Sequence, residues 1–117
     1  MERRSDLDLV VETILVDAYG DDEQYAAFLT VLEDESQLPA AATLIGIPVT
    51  VTGFRYNDAT RGLVAIIQGP REVGESSLAD LAFPPDTVTA WIHAAYRHYL
   101  GLQPFPARPR EDWTWPT

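Results

Sequence analysis

The segment ATLIGIPVTVTGFRY, residues 42–56, decides how this chain folds. Val, Ile and Thr dominate it, and side chains branched at Cβ suit a pleated strand better than a helical turn. Gly46-Ile47-Pro48 interrupts the run, which divides it into two strands, Ala42 to Ile45 and Val49 to Tyr56. Asn57-Asp58-Ala59-Thr60 follows with the chemistry of a loop, and Gly62 to Gln68 resumes the extended pattern. Arg71 to Ser77, around Gly74, is a fourth candidate strand. Four short antiparallel strands in succession predict a small, strongly curved sheet or barrel.

Upstream of Pro39 the period is helical. Leu7, Val10, Val11, Ile14 and Leu15 recur on one face and predict a helix over residues 5–19, capped by Ser5 and ended at Gly20. Asp21 offers a second N-cap, with Asp22 and Glu23 in the first turn, where carboxylates complement the helix dipole. Tyr25, Phe28, Leu29 and Leu32 then form the buried stripe of a second helix that ends near Glu35. Downstream, Asp86 can cap a third helix over Thr87 to Leu100, with Val88, Trp91, Ile92, Ala95 and Tyr99 inward. The stretch from Gln103 to Thr117 carries four prolines and two tryptophans and reads as extended.

The chain has 117 residues, 46% of them apolar and 22% charged, which fits one domain with its own core. Eighteen acids face eight bases, all arginine, for a formal charge of −10. That field repels phosphate backbones and anionic membrane surfaces, and leaves cations and basic proteins as partners. The absence of cysteine excludes disulfides, thiolate metal sites and thiol nucleophiles. Leu9 to Val16, the longest apolar stretch near the start, contains Glu12 and has the layout of neither a membrane span nor a signal peptide. A cytoplasmic protein is the expectation.

Glu33-Asp34-Glu35 is the acidic run of most interest, because it falls where helix two ends and carbonyl dipoles already concentrate negative charge. Calcium, which takes six to eight oxygen ligands, would offset that charge. The plainer reading is three solvated acids that end a surface helix. Capping and dipole effects account for Asp21, Asp22 and Glu23, while Asn57-Asp58 is either a source of oxygens from the sheet side or ordinary turn chemistry. None of these runs has EF-hand spacing, so a calcium site would be assembled from separate segments. His93 and His98 lie about 140° apart on a helix and do not share a metal. They read as surface or rim residues. Gly62, Gly69 and Gly74 lack phosphate-loop spacing, and nothing in the sequence supports an enzyme. Trp113 and Trp115 either fold back over the domain or anchor a protein partner.

The stretch Ile14-Leu15-Val16-Asp17-Ala18-Tyr19-Gly20-Asp21-Asp22-Glu23-Gln24 resembles the start of the CcbP family, named for a cyanobacterial calcium-binding protein. The likeness continues through Leu32-Glu33-Asp34-Glu35-Ser36-Gln37-Leu38-Pro39, and more loosely through Gly46 to Phe54 and Val73 to Leu81. Leu38-Pro39-Ala40 stands where that family has an aromatic-proline-aromatic segment, and the double-tryptophan tail is outside its pattern. The resemblance implies an α+β fold: an N-terminal helical pair, a small open antiparallel barrel of four to five strands, and a closing C-terminal helix. It implies one CcbP-like domain over residues 1–102, beyond which 103–117 is the extended proline- and tryptophan-containing tail. It also implies calcium as the bound ion, with Glu33, Asp34 and Asp58 as ligands, and a role as an intracellular calcium buffer or sensor. The alternative is a non-catalytic interaction module that keeps the fold without the calcium site and presents Trp113 and Trp115.

Overall fold

The structure is a computed structural model, and it describes residues 6–58 and 62–115. Helix α1 spans Asp6–Ile14 and α2 spans Asp21–Glu35; strands β1 (Ala40–Leu44), β2 (Ile47–Asp58), β3 (Gly62–Gln68) and β4 (Val73–Ser77) follow. A 3-10 turn at Leu78–Asp80 leads to the short strand β5 (Leu81–Ala82), and α3 covers Val88–Tyr99. Ser5, expected to cap α1, and Ala59 and Thr60 of the expected loop lie outside the described residues.

The strands form one open antiparallel sheet in the order β4-β3-β2-β1-β5, with β4 and β5 as its edges. The α+β class and the open, unclosed sheet are those expected. The sequence reading did not include β5, whose two residues pair with Thr43 and Leu44 of β1 and are too short to show a period.

Strand β2 shows how register reaches the core. Val49 and Val51 are buried on odd positions, whereas Phe54 is buried on an even one. A register shift between Val51 and Gly53 inserts the extra residue that changes parity. The same strand thus feeds the core at both ends, and Tyr56 comes to stack on Tyr25 of α2.

The helical pair is present, but α1 ends at Ile14, well short of Tyr19, and passes into a looser turn with Ala18 N–H bonded to Leu15 C=O. Val16 and Tyr19 are 66% and 76% exposed, so continuing the helix would bury no further apolar surface. Gly20, at φ 85°, is the N-cap of α2 and not the end of α1. At α3, Thr87 replaces the expected Asp86 as cap, its Oγ1 accepting from Ala90 N–H at 3.1 Å.

Helix α3 is the centre of the molecule, packed on α1, α2 and the 3-10 turn, while α2 also covers β2 and β3. Every residue from Thr89 to Tyr96 is buried, so the helix is inward on nearly all sides and not on one stripe. His93 is therefore a core residue, which corrects the surface or rim expectation. Its Nε2 bonds Leu78 C=O at 2.7 Å, and its ring packs on Phe83 and Phe105. Burial disfavours the charged imidazolium and lowers the His93 pKa to about 4.

The tail runs along the body, extended from Gln103 to Arg110 and then turning at Glu111-Asp112, where Trp113 N–H bonds Arg110 C=O at 3.1 Å. Arg97 holds its root, donating to Gln103 C=O at 2.7 Å and Ala79 C=O at 2.6 Å, with its guanidinium 4.0 Å over the Phe105 ring. Arg108 N–H then bonds Pro85 C=O, and Arg110 donates to Asp86 C=O. Ala107, Trp113 and Trp115 end half-buried against the core. None of the described helices is long and apolar enough to cross a membrane.

Candidate functional site

Helix α2 carries acids at both ends, and its 15 residues set them apart. At a rise of about 1.5 Å per residue, Asp22 and Asp34 are separated by roughly 18 Å along the axis. Each end has a different environment.

At the N-terminal end the acids meet tyrosines. Asp22 accepts a hydrogen bond from Tyr56 Oη, which crosses from β2. That bond, then burial, then the charges of Asp22 and Asp58 push the Tyr56 hydroxyl up to about 12. Burial and the Asp21 charge likewise raise Tyr25 and Tyr99. Tyr99 Oη donates to Gln24 Oε1 at 2.7 Å, and Glu23 Oε2 accepts from Tyr19 N–H at 3.2 Å. Of these hydroxyls, that of Tyr56 donates to a carboxylate and that of Tyr99 to an amide oxygen. The sequence analysis gave Tyr25 and Tyr99 only a place on the buried faces of their helices and Tyr56 only a place in a strand; nothing local signals that their hydroxyls meet the acids at the start of α2.

At the C-terminal end Glu33 and Asp34 are exposed and Glu35 is half-buried. The last turn of α2 has no basic side chain, and among the described residues no ion pair reaches these three acids. Ser36 N–H caps Leu32 C=O at 3.0 Å, and Ser36 Oγ accepts from Thr89 Oγ1 at 2.7 Å, which ties the end of α2 to the start of α3. The carboxylates themselves receive two indole donors from the tail. Trp113 Nε1 donates to Glu35 Oε1 at 3.0 Å, and Trp115 Nε1 to Asp34 Oδ2 at 3.4 Å.

The three expected ligands do not come together. Asp58 ends β2 and acts on Tyr56, so it sits with Asp22 at the opposite end of α2 from Glu33 and Asp34. Neighbours in a helix also diverge by about 100°, which spreads Glu33, Asp34 and Glu35 rather than converging them. Among the described residues, no group of three or more His, Asp or Glu side chains is arranged to hold a metal ion. The remaining polar contacts clamp elements together. His98 Nε2 meets Asp8 Oδ1 at 2.6 Å across α3 and α1, and Arg55 forks onto both oxygens of Glu75 between β2 and β4.

This arrangement, a helical pair and a closing helix around an open five-stranded sheet, is a fold with solved members. One member is the crystal structure of Anabaena CcbP, matched at a TM-score of 0.70 and 19% identity over 88% of this chain and 97% of that one. Another is a calcium-binding protein in the calcium-binding form, at a TM-score of 0.68 and 18% identity over 85% of this chain and 92% of that one. The CcbP-like architecture expected from the sequence is therefore present, and the likeness is one of fold. Neither a family model nor a curated protein matches the sequence.

Proposed function

We propose that this protein binds calcium, with Glu33 and Asp34 at the C-terminal end of α2 as its carboxylate ligands. The observation that carries this reading is the uncompensated last turn: consecutive acids on the negative end of a helix, with no ion pair among the described residues. The fold shared with a protein solved in its calcium-binding form supports the choice of ion. Asp58, at the far end of α2, is left out of this site.

Two diverging carboxylates supply only part of a calcium shell, so water completes it. A site with few charges and little rigidity belongs at the weak end of the calcium range, with Kd on the order of 10⁻⁴–10⁻³ M. The alternative, an interaction module presenting Trp113 and Trp115, requires both indoles first to leave the acids and core they pack against.

Calorimetric titration of the chelator-stripped protein with calcium, in excess magnesium, tests the proposal. Saturable binding in that range, weakened about fivefold or more by Asp34→Asn, is the expected result. No heat up to several millimolar calcium, with an unchanged melting temperature, would mean that the fold is used here without the ion.

A further inference from the structure

A cleft of about 460 Å³ lies between the end of α2, the start of β1 and the start of α3, and the tail lends it Arg110. That volume is within the range of small-molecule sites. Pro39, Phe83 and Val88 give it apolar walls, and its charged side chains are Glu35 and Arg110. These two carry opposite signs, yet among the described residues they form no ion pair with each other. Glu35 is half-buried, and Trp113 Nε1 occupies only one of its oxygens. Arg110 Nη2 donates to Asp86 C=O, which anchors the guanidinium near the start of α3 and leaves it further donors. The helix ends reinforce both charges. The cleft meets α2 at its C-terminal end, where carbonyl dipoles add negative potential to that of Glu35. It meets α3 at its N-terminal end, where Thr87 Oγ1 takes the Ala90 N–H. The N–H groups of Val88 and Thr89, which also line the cleft, have no acceptor inside the helix. One cavity thus has a negative and a positive pole that do not neutralise each other by contact.

We propose that this cleft binds a small zwitterion, an amino acid with an apolar body, whose ammonium meets Glu35 and whose carboxylate meets Arg110 and the start of α3. Charge-assisted hydrogen bonds are the stronger kind, and the guanidinium fork suits a carboxylate. A simple anion would satisfy Arg110 and leave Glu35 facing it; a simple cation would do the reverse. A ligand with both signs satisfies both poles at once. A lone anion would also approach a chain of formal charge −10 against its field, whereas a zwitterion carries no net charge. Neither Glu33 nor Asp34 takes part, so this site stands apart from the calcium site proposed above.

Titration calorimetry of the full chain with four probes tests the site. L-leucine and ε-aminocaproate are zwitterions that differ in the spacing of their charges; caproate and hexylamine carry one charge each. The zwitterion of better spacing should bind saturably, with Kd on the order of 1 mM or tighter, and about tenfold or more tightly than either single-charge probe. Glu35→Gln keeps an acceptor for Trp113 and should remove most of the preference over caproate. Arg110→Gln should remove most of the preference over hexylamine. A general loosening of the fold would not separate the two ends of the ligand in this way. Equal affinity for zwitterions and single-charge probes in the unaltered chain, or no saturation by either zwitterion at tens of millimolar, would overturn the site. So would selectivity that is unchanged in both variants. If a variant does not fold, the order of the four probes in the unaltered chain decides alone.

Discussion

Tyr96 Oη accepts a hydrogen bond from the backbone N–H of Leu63 at 2.9 Å, in the buried interior and across 33 residues of sequence. The contact joins α3 to the first residues of β3 and fixes the base of the β2–β3 turn. Gly62 sits beside it at φ 67°, where an added Cβ would stand 2.6 Å from that hydroxyl and 3.1 Å from Tyr25. Tyr96→Phe leaves a buried N–H without its partner, so urea denaturation should show a loss of about 1–3 kcal/mol. Gly62→Ala should also destabilise, and by less in the Tyr96→Phe background, where the clashing oxygen is gone. Equal costs in both backgrounds would show that only the backbone angle matters at Gly62.

His93 makes stability depend on pH. Burial first, and the nearby Arg97 charge as well, lower its pKa from 6.5 to about 4 against the opposing bond to Leu78. Between those values the unfolded chain takes up a proton that the folded chain refuses. The contribution is complete above pH 6.5 and is lost as pH falls toward 4, a change of about 3 kcal/mol. Unfolding free energies at pH 7 and pH 4.5 should differ less in His93→Gln than in the unaltered protein. An unchanged difference would assign the acid sensitivity to other groups.

Ile45 occupies the β1–β2 turn at φ 49°, a left-handed conformation that β-branched residues disfavour, and it is 90% exposed. Two-residue turns of this kind favour Asn-Gly, and Gly46 already follows. Ile45→Asn should therefore stabilise the fold by about 0.5–1.5 kcal/mol. A loss of stability in thermal or urea unfolding would show that the isoleucine makes a compensating contact.

Removing residues 111–117 should lower the melting temperature, because it uncovers the surface that Trp113 and Trp115 pack against. A cost of about 1–2 kcal/mol corresponds to a fall of roughly 4–8 °C in a domain of this size. An unchanged melting temperature would show that the tail rests on the body without stabilising it.

Much of this architecture was legible along the chain. Repeating Val, Ile and Thr marked the strands, and apolar spacing marked the helices. Both are local signals, set by steric preference and by the face each element must bury. The ends of elements were less legible, because α1 stops where burial stops and not where its spacing stops. Strand β5 exists only because β1 is there to pair with it.

The sequence alone determined the acidic charge, the helix–sheet–helix order and the acids at both ends of α2, since each depends on composition or on neighbours a few residues apart. Tertiary structure alone decided which acids could cooperate. It set Asp58 and Asp22 around Tyr56 and away from Glu33 and Asp34, turned His93 inward, and laid Trp113 and Trp115 on Glu35 and Asp34. These pairings join residues 15 to 81 positions apart. Their partners are chosen by the packing of whole elements on one core, a property that no local window of sequence contains.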